Sequence, residues 1–154
     1  MTKRYSLLAR GEGPNYEWSA DHTFVKVSAA DTGGAYTLME DNLKANFRLG
    51  LHLHKTHAET FYILEGAVDF LVDGDWMRLE AGDTLHIPPG VPHGCQVADE
   101  TRARMLMIFQ PAGFDLYLEA LSGLTEAEFA DQATMTALND QHDIIELGEL
   151  PPRP

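Results

Sequence analysis

Short β-branched and aromatic runs, each cut off by Gly, Pro, Asn or Asp, fill the chain from about Thr23 to Gln110. Strands are expected near 23–28, 35–40, 46–54, 59–64, 67–72, 75–80, 83–88, 94–97 and 103–109. The breaks carry turn chemistry: "DTGG" at 31–34, "EG" at 65–66, "DG" at 73–74, "AGD" at 81–83 and "PPGVP" at 88–92. Asp73-Gly74, between two alternating runs, predicts a tight hairpin. Many short strands at near-regular spacing restrict the chain to an all-β fold, a small antiparallel sandwich or barrel.

After Gln110 the pattern changes. In "PAGFDLYLEALSG", Phe114, Leu116, Tyr117, Leu118 and Leu121 fall at helical spacing, and Gly123 stops the run. Thr125 followed by Glu128 is a capping box that opens a second helix, expected to run to about Leu138. At 154 residues, with no linker or repeat, one domain is expected: an N-terminal arm (1–22), a barrel (23–110), a helical flap (111–140) and a tail (141–154). Asp and Glu number 24 against 11 Lys and Arg, a formal charge of −13, which repels phosphate backbones and argues against nucleic acid as a partner. No apolar run approaches the ~18 residues of a membrane span, and the N-terminus has no signal-peptide pattern. Cys95 is the single cysteine, so no intramolecular disulfide forms and a cytoplasmic location is expected.

The chemistry concentrates in "GLHLHKTHAETFYILEG", residues 50–66. Alternation along a strand puts His52 and His54 on one side, their Cβ atoms about 7 Å apart. Glu59 follows across a short turn, Lys55 to Ala58, at the head of the next strand. Two imidazoles and a carboxylate so placed are a facial set suited to Fe, Mn, Ni, Co or Zn. A fourth ligand is supplied by "GDTLHIPPGVPHGCQV", where a turn built on Pro88 and Gly90 delivers His93 at the start of another strand. Four such side chains inside a barrel are costly unless a metal satisfies them, which sets them apart from a lone core histidine.

These two stretches resemble the two motifs of the cupin superfamily. The pattern H-x-H-x4-E-x6-G runs from His52 to Gly66, and G-x5-P-x-G-x2-H from Gly82 to His93. The first motif usually starts with a Gly where this chain has Asn46, and the second usually ends with an Asn where it has Val97. The resemblance implies a small double-stranded β-helix barrel holding one divalent metal on His52, His54, Glu59 and His93. "DTGGAYTLME", "MLMIFQPAGFDLYLEAL" and "HDIIELGELPP" further resemble the single-domain flavonol 2,4-dioxygenase (quercetinase-like) group. That implies a dioxygenase that uses O2 on a flavonol-like or other hydroxy-carbonyl aromatic, with Glu59 taking the substrate hydroxyl proton, and a homodimer. The alternatives on the same scaffold are an isomerase or decarboxylase, or a metal-bearing binding module without turnover.

Around the ligands, Phe61 and Ile63 share the face of Glu59 and are expected in the pocket wall, as are Met39, Met105 and Met107. Cys95, two residues past His93, faces inward as a small filler rather than a nucleophile. Trp18 and Trp76 are expected at the rim or in packing, His57 and His86 at the rim, and His22 and His142 in solvent.

Overall fold

The structure, a computed structural model, describes residues 3–154. Eleven strands form two sheets among the described residues. They are β1 (Asn15–Glu17), β2 (Asp21–Val27), β3 (Thr37–Leu43), β4 (Arg48–Leu53), β5 (Ala58–Glu65) and β6 (Ala67–Val72). Then come β7 (Asp75–Glu80), β8 (Thr84–Ile87), β9 (His93–Val97), β10 (Ala103–Gln110) and β11 (Ile145–Gly148). One sheet runs β1-β2-β3-β10-β5-β8 and the other β11-β4-β9-β6-β7, all pairings antiparallel. The hairpin expected at Asp73-Gly74 joins β6 to β7, with Val72 opposite Asp75 and both turn residues at positive φ.

Alternation along each strand sends one set of side chains between the sheets. Met39, Ile63, Val68 and Phe70 are fully buried there, with Met105, Ile87 and Phe109 beside them. Removing apolar side chains of this size from water favours the fold by about 1.5–3 kcal/mol each. Two glycines let the second sheet close where it carries its functional side chains. A Cβ on Gly50 would lie 2.8 Å from the Gly148 carbonyl oxygen, and one on Gly94 2.8 Å from that of Leu49. Either contact would push β4 away from a neighbouring strand.

The helical region departs from the two expected helices. A four-residue helix, α1 (Ala29–Thr32), follows β2, capped by Ser28 and Asp31 in a reciprocal capping box. After β10 come α2 (Phe114–Ser122), α3 (Glu126–Ala130) and α4 (Gln132–Gln141). The helix expected from Thr125 to Leu138 is therefore two. Asp131, extended at φ −85° and ψ 113°, stops α3 and caps α4 by accepting from Thr134 N. The tail adds β11 to the free edge of β4, Ile145 opposite Leu53 and Glu146 opposite His52. Of the expected arm, residues 1 and 2 lie outside the described residues, while β1 and the first residues of β2 are paired in the sheet.

Candidate metal centre

His52 lies on β4 and His54 just past its end, Glu59 on β5, and His93 at the first position of β9, where the register sets it opposite His52. All four side chains are at least nine-tenths buried, and one potential ligand atom from each lies within 4.8 Å of all the others. Ligand atoms held by one metal at about 2.0–2.2 Å are at most about 4.4 Å apart, so little closure is needed. The His52 and His93 ring centroids are 4.3 Å apart, and that of His54 is 5.1 and 5.5 Å from them.

The outer nitrogens fix which atoms face inward. His52 Nδ1 lies 3.0 Å from the Gly50 carbonyl oxygen, His54 Nδ1 2.8 Å from that of Asp143, and His93 Nδ1 2.9 Å from that of Val91. A carbonyl only accepts, so each Nδ1 donates, and the tautomer assigned from this network leaves each neutral ring an Nε2 lone pair. Such backbone anchoring orients metal-binding imidazoles. The inner atoms are correspondingly short of protons. His93 Nε2 is 2.9 Å from Glu59 Oε2, and His54 Nε2 stands 3.3 Å from the same oxygen without a hydrogen-bond partner. Three imidazoles and a carboxylate converging in a buried cluster are a donor set that fits a divalent cation at their centre.

The electrostatics follow from packing these groups against one another out of water. Burial, reinforced by His93, pushes the His52 ring down to about 4, which keeps it neutral. Burial would raise Glu59, but the His54 and His93 rings outweigh it and bring the carboxyl down to about 2. Burial works against His54 as well, and there the Glu59 carboxylate prevails and raises the ring above its ordinary value.

The cluster opens into a cavity of about 670 Å³ between the sheets, in the size range of small-molecule sites. Phe61, Cys95, Met105 and Met107 line it, as expected of inward-facing wall residues. Met39 and Ile63 also point inward but are wholly packed into the core and leave no surface to the cavity. Trp18 is a wall residue as well. The far wall comes from the helices: Leu118 and Leu121 of α2, with Tyr117 donating to Asn139 Oδ1 at 2.6 Å. Burial pushes the Cys95 thiol well up, which keeps it an unreactive S–H.

Of the remaining histidines, His22 and His142, expected in solvent, are half-buried, as is His57. His57 is bonded to Asp143, His22 stacks on Phe24 at 4.3 Å, and His142 packs on Tyr117 at 5.4 Å. His86 is exposed and bonded to Thr60.

Sequence reasoning missed one polar feature of this cavity. Asp21 and Asp41 reach it from β2 and β3, with Thr23 donating to Asp41 Oδ1 at 3.2 Å. Burial raises both carboxyls, Asp41 well above its ordinary value with Asp21 adding to the shift. No motif marks them; they meet only because Thr23 pairs with Asp41 across the two strands.

Two sheets with a His3Glu cluster between them define a cupin-type barrel, and the comparisons agree. Residues 42–109 match the family model described as cupin domain. Quercetin 2,3-dioxygenase of Bacillus subtilis (strain 168) is 27% identical over 115 residues, covering 75% of this chain and 34% of that protein. The chain spans about a third of the length of the curated relatives it matches. Among solved structures, KdgF from Halomonas sp. superposes with a TM-score of 0.63 at 20% identity, over 72% of this chain and 99% of the other. Pac13, a nucleoside dehydratase, superposes with a TM-score of 0.60 at 13% identity, over 98% and 95%. Among the described residues no helix is long and apolar enough to cross a membrane.

Proposed function

We propose that His52, His54, Glu59 and His93 hold one divalent transition metal, Fe, Mn, Ni, Co or Zn, and that the protein is a dioxygenase. Its substrate is a flavonol-like or other enediol or hydroxy-carbonyl aromatic, with O2 as co-substrate. The observation that carries the metal is the set of three imidazoles, each anchored through Nδ1 to a backbone carbonyl, that converge with a buried carboxylate so that one ligand atom from each lies within 4.8 Å of the others. When bound, the metal supplies the positive charge that favours an ionised hydroxyl beside it and access to oxygen chemistry.

The chain's own residues do the rest. Glu59 Oε2, 2.9 Å from His93 Nε2, takes the hydroxyl proton. Phe61, Met105, Met107 and Phe109 give a flat substrate apolar walls and exclude water. The similarity to quercetin 2,3-dioxygenase supports the substrate class. In the same reading Cys95 fills space, residues 1–22, 23–110, 111–140 and 141–154 act as arm, barrel, flap and tail of one domain, and the protein is a cytoplasmic homodimer. The single buried thiol suits that compartment.

A second reading, a non-oxygenase enzyme such as an isomerase or decarboxylase, is favoured by the Asp21–Asp41 pair. Carboxyls that hold a proton within the cavity can donate and recover it without any redox step. Protein purified without chelators is analysed for metals and then assayed with flavonols and catechol-like compounds in an oxygen electrode. Stoichiometric metal with substrate-dependent O2 uptake supports the dioxygenase. Substrate turnover without O2 uptake supports the second reading, and absence of metal overturns both.

A further inference from the structure

Asp143 touches no ligand atom that faces the cluster, yet more hydrogen bonds converge on it than on the ligands themselves. It sits between α4 and β11 at φ 60°, a left-handed conformation. Its backbone carbonyl accepts from His54 Nδ1 at 2.8 Å, which sets the orientation of that ring. Its carboxylate grips the turn that links the ligands His54 and Glu59. Oδ1 accepts from Lys55 N at 2.7 Å. Oδ2 accepts from Thr56 N at 2.8 Å, Thr56 Oγ1 at 2.7 Å, His57 N at 2.9 Å and His57 Nδ1 at 2.8 Å. The turn backbone thus has its N–H groups satisfied by a residue more than eighty positions away in the chain.

We propose that Asp143 is the positioning residue of the metal centre: its carboxylate locks the 55–57 turn to the C-terminal segment so that its own carbonyl meets His54 Nδ1. The inference rests on the metal reading above. Physically the two halves are inseparable. The carbonyl is aimed at the imidazole only while the residue that carries it is tied to the turn, and the ring keeps its inward lone pair only while the carbonyl accepts from Nδ1. His57 extends the junction, its Nε2 lying 3.4 Å from the Ala112 carbonyl oxygen at the start of the flap. Metal affinity is therefore set in part by a segment that supplies none of the four ligands.

The test is Co(II) affinity, read by visible absorption in competition with a chelator, for the wild type, Asp143→Ala, Asp143→Asn and Leu79→Ala. Leu79 is buried on β7 away from the cavity, so its truncation lowers stability without touching the centre. The melting temperature of each metal-free protein is measured in parallel. Asp143→Ala is expected to weaken Co(II) binding about 10–100-fold. Asp143→Asn, which tolerates the left-handed backbone and keeps one acceptor oxygen, recovers part of the loss, and Leu79→Ala leaves affinity unchanged. Wild-type affinity in Asp143→Ala overturns the inference. So does a weakening in Leu79→Ala that tracks its lower melting temperature as closely as that of Asp143→Ala, since the effect would then be stability alone. A wild-type protein that takes up no Co(II) overturns the metal reading itself, and the inference with it.

Discussion

The two polar regions of the cavity resolve the same problem in opposite ways. At one, four ionisable side chains are arranged so that lone pairs and a carboxylate converge, and each imidazole proton is directed outward onto a backbone carbonyl. At the other, the buried Asp41 meets the half-buried Asp21, Thr23 donates to Asp41, and burial raises both carboxyls. The first arrangement suits a cation and the second retains a proton. A buried charge thus shows its purpose through the direction of the surrounding donors more than through its own identity.

The largest effect expected from breaking this contrast is His93→Ala. It removes one of the converging lone pairs, and the metal content of the purified protein should fall from about one equivalent to background by elemental analysis. Next is removal of the metal from the intact protein. If the metal is present at about a hundred times its dissociation constant it contributes about 2.7 kcal/mol, so chelation should lower the melting temperature by roughly 5–10 °C.

Asp41→Asn probes the other region, and its sign is opposite to that of an ordinary acid group. Because the folded carboxyl holds its proton to higher pH than the unfolded one, stability is present below the unfolded value of about 3.9 and declines as pH rises through the folded value. Asp41→Asn should therefore melt higher than the wild type at neutral pH, with the difference closing below about pH 4. The smallest effect belongs to Cys95→Ala. It should leave metal content unchanged and cost about 1 kcal/mol in denaturant unfolding, and the native thiol should resist alkylating reagents.

The same contrast explains what the sequence revealed. His52, His54 and Glu59 lie within eight residues around one turn, so strand alternation alone places them together, and Gly82 to His93 brings the fourth. Asp21 and Asp41 are far apart in the chain and meet through β2–β3 pairing, which no local spacing encodes. Asp143 is hidden for the same reason. The barrel strands were legible from turn chemistry, with ends shifted where pairing runs on, as in β3, which starts at Thr37 rather than 35 and continues to Leu43. The break at Asp131 escaped because one residue serves as both stop and cap, and the short α1 did carry a signal in Ser28 and Asp31.

The pairing of β11 with β4 has a consequence for how the molecule is assembled. Every strand that carries a ligand precedes β11 in chain order, and without β11 the strand bearing His52 is the border of its sheet. A growing chain, or one cut before Ile145, leaves that border with unpaired backbone groups and two histidines beside it, a template for joining other chains. The closing strand thus acts as a late seal on that border, paired only after every strand that carries one of the four clustered side chains has been made.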